Sequence, residues 1–183
     1  MDLTGKIIVS QPSLEDQRFF KSVIYICAHS KEGSMGFIIN KKIDFDLYPD
    51  LLEQLGIDKT LKNKKLFFRY GGPVESSRGF VLHSDEEISK DSLKISKGVV
   101  LTSTIEFFDE LVKGKGPKES ILALGYAGWG PGQLEDEILQ NSWMPLSVDN
   151  NFLFDNEVSN KWNQAYEILG VDPSKLSIFS GRA

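Results

Sequence analysis

The chain holds two histidines, His29 and His83, and each closes an apolar run and is followed by a serine. An imidazole titrates near neutrality and can act as acid, base or metal ligand. Cys27 precedes His29 by two residues, so on a regular strand the thiol and the ring share a face. If the two histidine-bearing strands are neighbours, Cys27, His29 and His83 form an enzyme site in which a histidine draws the proton from the thiol. The plainer expectation is favoured: buried strands use cysteine as a small inert hydrophobe, and a strand-end histidine bonds backbone or water. Neither HExxH nor a CxxC pair occurs, so no metal and no cofactor is expected.

Gly125-Tyr126-Ala127-Gly128-Trp129-Gly130-Pro131-Gly132 lies between a predicted strand and a predicted helix, where free amides could cradle an anion. It has neither GxGxxG spacing nor the lysine and hydroxyl of a P-loop, and Glu135, Asp136 and Glu137 crowd the helix start with like charge. An unusual backbone path that lets Trp129 pack is the favoured reading. Of four arginines, Arg69 and Arg78 flank Gly71-Gly72-Pro73. A guanidinium beside open amides suits a carboxylate or phosphate ligand, although Arg78 is more simply explained as the partner of Glu75.

The elements that would position these groups follow from periodicity. Lys6–Ser10, Ser22–His29 and Gly36–Asn40 read as strands, the last two as a hairpin across Lys31–Ser34. Both alternating sets of the second, Val23/Tyr25/Cys27 and Ile24/Ile26/Ala28, are apolar, which predicts a central strand covered on both faces. Leu47, Leu51, Leu52 and Leu55 predict a short helix; Leu66–Tyr70, Arg78–His83, Val99–Leu101 and Ile121–Tyr126 predict strands, with 71–77 as a loop. Ser103 and Glu106 have capping-box spacing before the stripe Ile105, Phe108, Leu111 and Val112. Leu134, Ile138 and Leu139 predict a short acidic helix, Trp143–Val148 and Phe152–Phe154 strands, and Val158, Trp162, Ala165, Tyr166 and Leu169 a last helix before Gly170. This irregular order excludes regular βαβ alternation and predicts an α+β domain over residues 1–183, a largely antiparallel sheet packed with three to four helices.

Composition narrows the partners. The chain has 183 residues and a net charge of −5, and residues 99 to 183 carry 6 basic and 12 acidic side chains. That balance opposes phosphate neutralisation, so nucleic acid is not the expected partner. The basic run Lys59–Lys65 is read as a solvated loop. A single cysteine, no leader and no long apolar stretch point to a cytoplasmic protein that meets no membrane.

Three motifs carry a resemblance: Ser22–His29 with Met35–Asn40, Gly71-Gly72-Pro73-Val74 with Arg78–His83, and Gly125–Glu135 with Asn141 and Trp143. Together they resemble the YqgE/AlgH family over almost the whole chain. The resemblance implies a cytoplasmic bacterial protein with a branched, curved mixed sheet around a few helices. The family is biochemically uncharacterised, with no agreed catalytic residue, cofactor or DNA motif, and some members carry the label of transcriptional regulator. His29, Asn40, Gly72, Arg78, His83, Gly128, Trp129 and Asn141 match the family pattern, and with Arg69 they are the candidate binding residues. The expectation is a non-enzymatic regulatory protein that binds a small molecule or protein partner around Arg78, His83 and the Tyr126–Gly132 bend. The alternatives are the Cys27, His29 and His83 enzyme and a direct DNA-binding regulator.

Overall fold

The computed structural model describes residues 2–43 and 68–176. The helix predicted at Leu47–Leu55 and the Lys59–Lys65 run therefore lie outside the described residues. The first apolar run forms β1 (Ile7–Ser10), and the doubly apolar run forms β2 (Val23–Ser30), which turns back into β3 (Gly33–Ile38). After β4 (Phe68–Tyr70) come β5 (Val74–His83), β6 (Leu93–Ser96), β7 (Val99–Thr102) and helix α1 (Ile105–Val112). The long β8 (Ser120–Trp129) leads to α2 (Gln133–Leu139), β9 (Trp143–Leu146), α3 (Asn150–Phe154) and α4 (Lys161–Leu169).

The strands join in the order β6-β7-β5-β8-β3-β2-β1-β9, all antiparallel, and β4 adds to β8 in parallel. β8 is the branch point. Its Leu122–Leu124 stretch lies between β4 and β5, whereas Ala127–Trp129 pairs with β3. The sheet curls far enough that the Tyr25 hydroxyl of β2 lies 2.9 Å from the Ser96 hydroxyl of β6. The result is an α+β fold with a curled, branched sheet.

Both faces of β2 are buried from Val23 to Cys27, whereas Ala28, past the irregularity in its pairing with β3, is exposed. Val23, Tyr25 and Cys27 face a core shared with α3 and α4, while Ile24 and Ile26 face a second core with Leu134 of α2 and both Trp129 and Trp143. A third cluster, with Phe108 and Leu111 of α1, covers β4, β5 and β8. On α4 the Trp162 indole N–H and the Tyr166 hydroxyl both donate to the Ser10 carbonyl, at 2.9 and 3.1 Å, locking the helix to the end of β1. Burying each ring contributes on the order of 2 to 3 kcal/mol before entropy.

Four departures from the sequence reading have local causes. The glycine stretch after Tyr126 stays strand as far as Trp129 and turns only at Gly130–Gly132: Gly125 takes φ +67, which re-aims β8 so that its last residues ladder onto β3. The loop predicted at 71–77 ends earlier, because β5 begins at Val74 and its register to β8 breaks between Val74 and Gly79. Phe152–Phe154 is helical, since the Asp149 carboxylate accepts the Phe152 N–H and starts α3. Strand β6 went unpredicted; it alternates with polar residues and is specified by its hairpin to β7.

Candidate functional site

β8 decides which predicted residues meet. His29 lies opposite Ser34, itself paired with Trp129 at the end of β8, whereas His83 pairs with Ser120 at its start. The two ends of the ten-residue β8 separate them, and the partners shown for each ring differ: Ser34 and Glu135 beside His29, Ser84, Thr102 and Phe107 beside His83. The two imidazoles therefore do not share a site.

Cys27 does not join His29 either. An extra residue in β2 between Ile26 and Ala28 shifts the register against β3. Cys27 stays with Tyr25 on the first core, while His29 moves to the face of Ile26 and Ile38, where its Nδ1 is 2.9 Å from the Ser34 hydroxyl and its Nε2 3.6 Å from Glu135. Two-residue spacing predicts a shared face only without such a bulge. The thiol is 3% exposed, and burial pushes its pKa up, so the thiolate is disfavoured.

At the Trp129 end, a residue that the motifs did not single out organises the geometry. Glu137 accepts from the Trp129 indole at 2.9 Å, the Trp143 indole at 2.7 Å and the Gln133 amide at 2.8 Å. The two indoles meet edge to face at 6.0 Å. Gly128 pairs with Met35 inside the ladder. Asn141 takes φ +59 directly after α2; its N–H donates to the Ile138 carbonyl and that of Ser142 to Glu137, a Schellman ending in which Asn replaces the usual glycine. Asn40 also ties backbone: it accepts from Val23 N–H and donates to the Lys21 carbonyl, both at 2.8 Å.

Gly72 marks the crossing of the 71–72 segment over β8. A Cβ there would lie 2.2 Å from the Tyr126 carbonyl carbon, and one on Gly71 2.2 Å from the Gly125 oxygen. Arg78 is exposed and pairs with Glu75 at 2.9 Å, the simple partner its spacing suggested.

The His83 end differs. The ring is fully buried, stacked on Phe107 at 4.6 Å, with Nδ1 2.8 Å from the Ser84 carbonyl and Nε2 2.9 Å from the Thr102 hydroxyl. A carbonyl only accepts, so Nδ1 carries the proton and Nε2 of the neutral ring accepts from Thr102. Thr102 is 2.7 Å from the Ser92 hydroxyl, which lies 2.9 Å from that of Ser89. Burial lowers the His83 pKa, favouring the neutral ring.

Ser84 opens onto a hollow of about 480 Å³, also lined by Glu119, Asn150, Asn151, Asp155 and Asn156. Two buried cations fix its wall. Arg69, 1% exposed, donates to the Ile39 carbonyl at 2.6 Å, the Asn156 side-chain oxygen at 3.3 Å and the Asp155 carbonyl at 3.4 Å. Lys161 donates to the Phe152 carbonyl and lies over the Phe152 ring. Burial lowers Lys161 to about 8, with neighbouring Arg69 adding to the shift, and lowers Arg69 to about 10. A second hollow, about 470 Å³, lies beside α1 against Ser89, Thr104, Phe107 and Glu110. Among the described residues, no three His, Cys, Asp or Glu side chains stand close enough to share a metal ion, and no helix is long and apolar enough to cross a membrane.

Sequence reasoning reached this end of the molecule through Arg69 and His83 but missed Glu119, Asn150, Asn151 and Asn156. Carboxamides on a short helix and the turn after it form no motif, and the segment reads as strand.

Comparison with known proteins places this architecture. The AlgH-like family model matches residues 7–174. A UPF0301 protein of Rhodopseudomonas palustris (strain HaA2) is 44% identical over 99% of this chain and 87% of its own, and one of Ruegeria pomeroyi is 43% identical over 100% of both. The solution structure of the AlgH protein from Pseudomonas aeruginosa superposes with a TM-score of 0.78 at 29% identity, covering 99% of this chain and 96% of that one. A crystal structure from Corynebacterium diphtheriae, 20% identical with a TM-score of 0.70 over 92% of this chain and 87% of that one, shares the fold. The β8 crossing, the paired indoles and the buried arginine thus stand in a chain that belongs to the AlgH-like, UPF0301 family.

Proposed function

We propose that the chain is a non-enzymatic regulatory protein of the cytoplasm that acts by binding a small molecule in the hollow beside α3. The supporting observation is the hollow itself, whose polar wall is anchored from behind by Arg69. A wall held by buried charge-assisted bonds is preorganised, which lowers the ordering cost of binding. Of the sequence candidates, Arg69 touches that wall through Asn156, and His83 borders it through the Ser84 carbonyl. His29, Gly128, Trp129 and Asn141 lie at the other end of β8, where a protein partner rather than a small molecule would find them. The enzyme alternative is weakened by the buried Cys27 thiol and the separation of the imidazoles, and the DNA alternative by the net charge of −5.

The test is differential melting of the full chain against a metabolite library. The expected result is a set of compounds that raise the Tm of the wild type and fail to do so with Asn151→Ala, whose exposed side chain leaves the fold intact. Compounds that stabilise both proteins equally, or none that stabilises either, would refute binding in this hollow.

A further inference from the structure

The hydrogen bonds around the hollow fix what its wall offers a ligand. The Asn150 amide donates its Nδ2 to the Lys97 carbonyl at 3.2 Å, leaving Oδ1 as a free acceptor. The Asn156 Oδ1 accepts from the Arg69 guanidinium, leaving Nδ2 as a free donor. A carbonyl only accepts and a guanidinium only donates, so neither amide can be reversed. Asn151 makes no side-chain hydrogen bond among the described residues and brings both kinds of group. Glu119 adds acceptors, and Asp155 uses one carboxylate oxygen on the Glu157 N–H at 3.0 Å, leaving the other.

We propose that the ligand is a neutral polyhydroxylated molecule, a sugar or cyclitol without phosphate or carboxylate; this rests on the small-molecule reading above. Among the described residues no lysine or arginine lines the hollow, and the two cations behind it are already engaged with oxygens of Ile39, Asp155, Asn156 and Phe152. Among the described residues an anionic ligand would thus meet two carboxylates and no free cation. An ammonium ligand would suit the carboxylates, yet it has three donors and no acceptor, so the Asn156 and Asn151 amide protons would lose water without gaining a partner. A hydroxyl donates and accepts at once. Adjacent hydroxyls on one ring can give protons to Glu119, Asp155 and Asn150 while receiving them from Asn156 and Asn151.

The experiment is an amide-resolved NMR titration of the ¹⁵N-labelled full chain with D-glucose, a neutral disaccharide and myo-inositol, each set beside glucose 6-phosphate and glucosamine. Saturable shifts from the neutral compounds confined to 84, 98, 119 and 150–156 are expected, with the phosphorylated and amino counterparts at least about tenfold weaker. Asn151→Ala should weaken the neutral compounds about tenfold with the remaining spectrum unchanged. Equal or tighter binding of the phosphate or the amine at those amides overturns the ligand class and leaves the binding function standing. If no compound moves those amides while melting against the library still finds stabilisers lost in Asn151→Ala, the polyol assignment alone fails. If both experiments are silent, both proposals fail.

Discussion

Replacing Glu137 by alanine removes the acceptor of both buried indoles, Trp129 at 7% and Trp143 at 3% exposure. The Gln133 amide, the third donor, is exposed and turns to water at little cost. Hydrogen bonds to a charged group contribute about 1.5 to 3 kcal/mol each, and an indole N–H left buried without a partner pays its own desolvation. Glu137 is half-buried, so water enters part of the vacated space, and the low end of that range applies: about 3 kcal/mol for the pair. For a chain of this size, that is a fall in Tm of about 6 to 12 °C. Glu137→Gln behaves differently. Both indoles donate to one oxygen, so a single carbonyl oxygen placed there keeps both bonds and loses only their charge assistance, about 1 kcal/mol. Urea denaturation followed by tryptophan fluorescence measures both variants, and a cycle with Trp129→Phe isolates one of the pairs. An alanine variant within about 0.5 kcal/mol of wild type, or a glutamine variant as damaged as the alanine one, would refute the indole clamp.

His83 makes stability depend on pH. Its folded pKa is lowered by burial, so on acidification the unfolded chain takes up the proton first; the contribution is complete above the unfolded value near 6.5 and is lost as pH falls through the folded value. Urea midpoints should therefore drop between about pH 7.5 and pH 5 in the wild type, and the slope should shrink in His83→Gln. Gly72→Ala forces a Cβ to within 2.4 Å of three Tyr126 and Ala127 backbone atoms and should cost about 3 kcal/mol or more, whereas Gly132→Ala, with φ +73 and nothing within 4 Å, should cost about 1 kcal/mol; chemical denaturation of the pair reads the difference. Cys27 should resist a disulfide-exchange reagent in the native protein and react at the unfolding rate, and a thiol that reacts at once would restore the enzyme alternative.

The parts of the fold that were legible are those in which one physical preference dominates. β2 read as central because both of its alternating sets are apolar, and both faces are covered from Val23 to Cys27. α4 read as helix because its stripe supplies Trp162, Ala165 and Tyr166 at one spacing, and all three are buried. The parts that were not legible are those in which a single local contact or a cross-strand pairing outweighed the side-chain pattern. α3 is only five residues long, and its start depends on a single carboxylate, so its aromatic and leucine side chains read as strand. The bulge that separates Cys27 from His29 leaves no mark in β2 itself, because its cause is the pairing with β3.

The same distinction explains why the glycine motifs pointed away from the hollow. Gly72, Gly125 and Gly128 are conspicuous in a sequence because few other residues suit a close crossing or a left-handed turn, and conspicuous residues invite a functional reading. In the folded chain the first two absorb a steric demand: the 71–72 segment passes against β8, and β8 bends there to join β3 to the rest of the sheet. Once backbone fills that space, no ligand can occupy it. The hollow beside α3 lies at the other end of β8, where Asn150, Asn151 and Asn156 come from chain that any protein surface could contain. Their orientation is not local either, since Asn156 is turned by Arg69, 87 residues earlier, and Asn150 by the Lys97 carbonyl, 53 residues earlier. A hollow lined by ordinary residues that long-range bonds orient has no sequence signature, and what it offers a ligand becomes readable only when the partners that fix each donor and acceptor are known.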